Sequence, residues 1–139
     1  MKVKELSTLV AMLAGCTFAE MDSAVKVKAH KAYRALKAKT AEYDEAVKDA
    51  GEKFKPEGFD ELLSKVRLRA TVEDAQRFNA MNEAFTRDVE AATKELGDVE
   101  LDAPLDDTQK LTEDEFYSVA ACNEALRLEQ IEQLRKVMC

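Results

Sequence analysis

The residue types with the most distinctive chemistry in this chain of 139 residues are Lys26, His30, Arg34 and Lys37, each three or four positions from the next. Placed at steps of about 100° around a helix axis with His30 at zero, all four fall within roughly 40° of one line, with Tyr33 beside them at the apolar edge. Three cations and an imidazole in a row offer N–H donors and positive charge to a carboxylate or phosphate, and His30 could hydrogen-bond such a ligand. The candidate binding residues are therefore Lys26, His30, Tyr33, Arg34 and Lys37. Two other uses of the same stripe stay open. It can be a solvated helix face, or it can be neutralised within the chain. Ser23 to Ala41 holds six Lys or Arg and no acid, while Asp98 to Glu115 holds eight acids against Lys110 alone.

Other routes to chemistry are sparse. One His, no Gly-rich phosphate loop and no His or Cys pair at metal-ligand spacing leave nucleophilic, metal-dependent and nucleotide-driven catalysis without their usual parts. Carboxylate-only chemistry is the one enzymatic class left, as a minor alternative, and no cofactor is implied. Cys16, Cys122 and Cys139 are odd in number, widely spaced and without a neighbouring His, which points away from a disulfide framework and toward a reducing, cytoplasmic setting. Cys122 reads as a small buried hydrophobe and Cys139 as an exposed thiol.

The element that positions the stripe is a helix predicted over Thr17 to Phe54, about ten turns and about 55 Å long. Its apolar residues, among them Phe18, Val25, Ala29, Ala32, Leu36, Tyr43, Val47, Ala50 and Phe54, lie between roughly 200° and 300° on the same projection. Thr17 and Glu20 form a capping-box pattern at its start, and Lys55-Pro56-Glu57-Gly58 ends it. Ahead of it, Val3 to Ala14 reads as a first helix with Leu6, Leu9, Val10 and Leu13 inward, since the apolar patch Leu9 to Leu13 is short for a secretion signal. After it come a short helix over Phe59 to Val66, a basic connector Arg67-Leu68-Arg69, and a second long helix from a cap at Thr71 to Leu96. That helix carries Ala75, Phe78, Met81, Phe85, Val89, Ala92 and Leu96 on one face. Val99 to Leu101 suggests a brief extended segment, Thr112 and Glu115 a capping box, and Leu128, Ile131, Leu134 and Val137 a last helix. The predicted fold is all-α: a long antiparallel helical hairpin with short N- and C-terminal helices packed against it, in a single domain over residues 1–139.

Hydrophobic residues make up 46% and charged residues 35%, with only four Gly and two Pro, which suits a helix-rich globular protein. The net charge of −7 argues against a duplex nucleic-acid partner, and no segment is apolar enough for a membrane span. A hairpin this long leaves apolar surface uncovered by so short a chain, which points to a homo-oligomer or a protein partner.

The order of parts resembles a family of small tailed-phage proteins of unknown function. The likeness is carried by the short apolar first helix, the Lys-rich helix ending in Ala41 to Glu45, and the Phe-Asn-x-x-Asn-Glu-x-Phe-x-x-x-Val-Glu run from Phe78 to Glu90. Val99 to Leu101 and the Leu-Thr-x-x-x-Phe start at Leu111 to Phe116 complete it. The resemblance implies phage origin, a host-cell cytoplasmic location and a non-enzymatic role, and it carries over no functional residue. The expected function is that of an accessory protein binding through its helical surfaces. The alternative is an inhibitor of host defence, which would present the acidic Asp98 to Glu115 surface to a basic partner or sequester a phosphorylated small molecule on the stripe.

Overall fold

The computed structural model describes residues 1–18, 21–69 and 71–139, and among them the secondary structure is all-α. The helices are α1 (Val3–Ala14), α2 (Ser23–Phe54), α3 (Phe59–Arg69), α4 (Val72–Gly97), α5 (Glu113–Ala121) and α6 (Leu128–Met138). The chain divides into two compact units, residues 1–42 with 97–139 and residues 43–96, so that α2 contributes to both.

In the first unit α1, α5 and α6 close over the N-terminal part of α2. Leu6, Leu9 and Leu13 of α1 meet Ala29, Ala32 and Leu36 of α2, Phe116 and Val119 of α5, and Leu134, Val137 and Met138 of α6, with Leu105 and Leu111 supplied by the preceding loop. Small residues at 29 and 32 let the helices approach closely without loss of packing density. The expected extended segment is used as a tie: the Val3 amide donates to the Val99 carbonyl (2.9 Å) and the Leu101 amide to the Met1 carbonyl (2.8 Å). The Thr112 cap forms as predicted, its hydroxyl accepting from the Glu115 amide at 3.2 Å while the Glu115 carboxylate accepts from the Thr112 amide at 2.9 Å.

In the second unit the C-terminal part of α2 runs antiparallel to α4, the hairpin expected from periodicity. Gly58, at φ 78°, allows the reversal after Pro56. Phe59 then meets Phe78 and Phe85, with ring centroids 5.4 Å apart in each case. Ala50 and Leu62 are the buried hydrophobic side chains described in this unit; Tyr43, Val47, Phe78, Phe85 and Val89 remain half-buried.

Five expectations need correction. The long helix begins at Ser23, not Thr17: Asp22 caps it by accepting from the Ala24 amide at 3.1 Å. Thr17 is held elsewhere, its amide donating to Asn123 Oδ1 at 2.6 Å and its carbonyl accepting from Asn123 Nδ2 at 3.0 Å, while Glu20 of the expected box lies outside the described residues. Arg67-Leu68-Arg69 continues α3, because nothing in those three residues stops a helix. Two apolar assignments also move. Leu128, in the first turn of α6, is 86% exposed, and Ala92 is exposed while Thr93 is buried, its hydroxyl donating to the Val89 carbonyl at 2.8 Å. Cys139, expected at the surface, is half-buried against the core of the first unit.

Candidate functional site

Lys26, His30, Arg34 and Lys37 stand exposed along α2 in the first unit, with Tyr33 half-buried beside them. A continuous helix with no acid between Ser23 and Ala41 is what holds them in line, since no side chain of opposite charge on the same turns can draw them aside. The Lys37 ammonium lies 5.8 Å from the Tyr33 ring centroid, so that ring gives the stripe a cation–π support one helical turn away.

The acidic segment does not neutralise this stripe. Asp98 pairs with Lys2 (3.5 Å) and Lys4 (3.0 Å), Glu100 with the Met1 amino group (3.0 Å), Asp107 with Lys110 (3.4 Å) and Glu113 with Arg135 (3.5 Å). Glu115 pairs with Lys28 of α2 at 2.7 Å, and the Asp106 carboxyl is lowered by the Thr108 hydroxyl and, in smaller part, by Lys39 of α2, which lies near it. The Lys28 ammonium, together with the Thr112 amide, holds the Glu115 carboxyl down at about 2. The reason is register. Lys28 and Lys39 point roughly 160° to 180° away from His30 on the helix, and it is their side of α2 that the loop covers. Thr108 lines a groove with Lys28 and Lys31, and Ala103, Pro104, Asp106 and Gln109 line another with Ala35, Ala38 and Lys39. Among the described residues no ion pair engages Lys26, His30, Arg34 or Lys37.

Beside the stripe the structure brings in residues that sequence spacing did not single out. Leu13 and Ala14 from the end of α1, and Phe18 from the segment after it, join His30 and Tyr33 around a cavity of about 160 Å³. Periodicity within one helix carries no information about walls contributed by another, so Leu13 and Phe18 were legible as apolar, inward-facing residues but not as neighbours of His30.

Among the described residues no group of three or more His, Cys, Asp or Glu is placed to hold a metal ion. Burial raises the thiols of Cys16 and Cys139, the opposite of what an activated nucleophile needs. Among the described residues no helix is long and apolar enough to cross a membrane. The fold and the site together define an all-α protein with an exposed cationic helix face. Comparison of the chain with protein-family models, with curated proteins and with solved structures found no match.

Proposed function

We propose that this chain is a non-enzymatic accessory protein of the tailed-phage type, working in the host cytoplasm by binding a protein partner through its helical surfaces, with the α2 stripe as the principal contact. The observation that carries the reading is that Lys26, His30, Arg34 and Lys37 stay exposed and outside the ion pairs formed among the described residues, in a chain whose net charge is −7. An acidic protein with spare cations would be expected to consume them internally wherever register allowed, and exposed charge of one sign favours encounter with the opposite sign. The half-buried aromatic face of the second unit supports self-association, which light scattering at micromolar concentration tests by a mass above that of one chain. Use of the acidic segment as a docking surface for a basic host protein has less support, because Asp98, Glu100, Asp107, Glu113 and Glu115 are engaged within the chain.

The test is a pull-down from host lysate with wild type and Arg34→Glu in parallel. A protein retained by wild type, released by salt near about 0.5 M and lost with Arg34→Glu supports the stripe as the contact. Equal retention by both removes it.

A further inference from the structure

The cavity beside the stripe refines that reading, and the refinement rests on it. We infer that the surface made by Lys26, Arg34, Lys37 and the pocket between His30, Tyr33 and Leu13 takes an acidic helix carrying one apolar anchor side chain, the anchor seated in the pocket and the carboxylates on the cations.

Three observations lead there. The pocket, about 160 Å³, is close to the volume of about 150 Å³ that an apolar protein cavity needs to hold benzene, so it suits a single phenyl or branched aliphatic side chain. Its walls are mainly apolar, with Leu13, Ala14 and Phe18 on one side and His30 and Tyr33 of α2 on the other. The cations bracket it: Lys26 lies one turn before His30, Arg34 one turn after His30, and Lys37 one turn after Tyr33.

The layout of charge selects the class of occupant. Along the axis Lys26 and Arg34 are about 12 Å apart and Arg34 and Lys37 about 4.5 Å, so the three charges form a line of about 16 Å and do not converge on one point. A single phosphate would meet one or two of them. A helix with acids every three or four residues repeats the same spacing and meets all three, with its apolar residue one position aside from the acidic row. Charge complementarity thus favours an extended acidic partner over a small anion.

The probe is a fluorescein-labelled synthetic helix of about 20 residues with Glu on one face and one Phe beside it, compared with the same peptide carrying Ala in place of Phe. Anisotropy at low salt should show the Phe peptide binding wild type about tenfold or more tightly than the Ala peptide. Ala14 is exposed on the pocket wall, so Ala14→Leu fills the pocket from outside the core and should bring the Phe and Ala peptides to the same affinity; a Phe preference that survives it would overturn the inference. Arg34→Glu should weaken both peptides. Equal affinity of the two peptides for wild type would overturn the anchored-helix inference while leaving the cationic stripe as a contact. Failure of both peptides to bind would overturn the stripe reading itself. Displacement of the Phe peptide by phenyl phosphate at a concentration equal to or below that of unlabelled Phe peptide would also overturn the inference, in favour of a small-anion site.

Discussion

In the unit formed by residues 1–42 and 97–139, Leu6, Leu36, Phe116 and Met138 are almost wholly withdrawn from water, whereas in residues 43–96 the large side chains Tyr43, Phe78, Phe85 and Val89 are only half-buried. Both units are made of amphipathic helices, each with an apolar face. The difference lies in the number of elements available to cover them. Around the N-terminal part of α2 the first unit assembles α1, α5, α6 and the Leu105 and Leu111 loop, which surrounds the apolar stripe. The second unit has a helix pair and the short α3, and a pair can bury only the strip along its contact line. Its remaining apolar surface opens as a groove of about 390 Å³ lined by Tyr43, Val47, Phe85 and Val89 among others. Amphipathicity specifies which face seeks cover, and the count of neighbouring layers decides whether it finds it.

The comparison fails or holds first on two phenylalanines. Phe116, 1% exposed, should cost about 3–5 kcal/mol when replaced by Ala, read as a large fall in the urea midpoint or loss of the cooperative transition. Phe85→Ala, at a half-buried ring with an edge contact to Phe59, should cost only about 1–3 kcal/mol. Equal losses would mean that the second unit is sealed as tightly as the first.

Asn123 tests how the first unit is tied together. Its side chain accepts from the Thr17 amide and donates to the Thr17 and Val119 carbonyls, holding the segment after α1 to the end of α5. Asn123→Ala removes those bonds and should cost about 1–2 kcal/mol in chemical denaturation, without changing helix content by circular dichroism. A shift too small to measure would show that the tie is solvated in both states.

Glu115 sharpens the same point through pH. Its carboxyl titrates near 2 in the folded chain against an ordinary 4.5, so the stabilisation from Lys28 and the Thr112 cap is present in full above 4.5 and is lost as pH falls through about 2. Glu115→Gln should therefore be less stable than wild type near about pH 6, by on the order of 1 kcal/mol for a partly solvated pair, with the gap closing as pH falls toward 2. A gap that persists unchanged at low pH would assign the effect to something other than ionisation.

The smallest expected effect is at the stripe. Arg34 is exposed and makes no ion pair among the described residues, so Arg34→Glu should move stability by less than about 0.5 kcal/mol, and the wild-type melting temperature should change equally with salt in both proteins. A clear destabilisation would place Arg34 in an internal pairing and remove it from the free surface of the first unit.

The properties legible without a structure were those set within a few residues of chain. The inward faces of α1 and α2, the break at Pro56 and Gly58, and the Thr112 and Glu115 box all follow from periodicity and from hydrogen bonds three or four residues long. The misreadings cluster where two local signals compete or where a distant partner arbitrates. Thr17 and Asp22 are both good caps, and Thr17 was already engaged by Asn123, more than a hundred residues along the chain. The Phe78 face was correctly placed, yet Ala92 and Thr93 exchanged roles at its end because a threonine hydroxyl that bonds back to its own helix is as easily buried as a methyl group.

For the candidate site the division has one physical cause. A row of cations on a helix is written in the local order of residues, so Lys26, His30, Arg34 and Lys37 could be found from spacing alone. Which cations are neutralised is a question of register between segments far apart in the chain: the loop lies over the side of α2 that carries Lys28 and Lys39, some 160° from His30, and so the stripe stays exposed. The pocket walls are likewise contributed by α1 and the segment after it. Helical periodicity is short-ranged and survives any tertiary arrangement, whereas charge pairing and cavity walls exist only once the helices have taken their places.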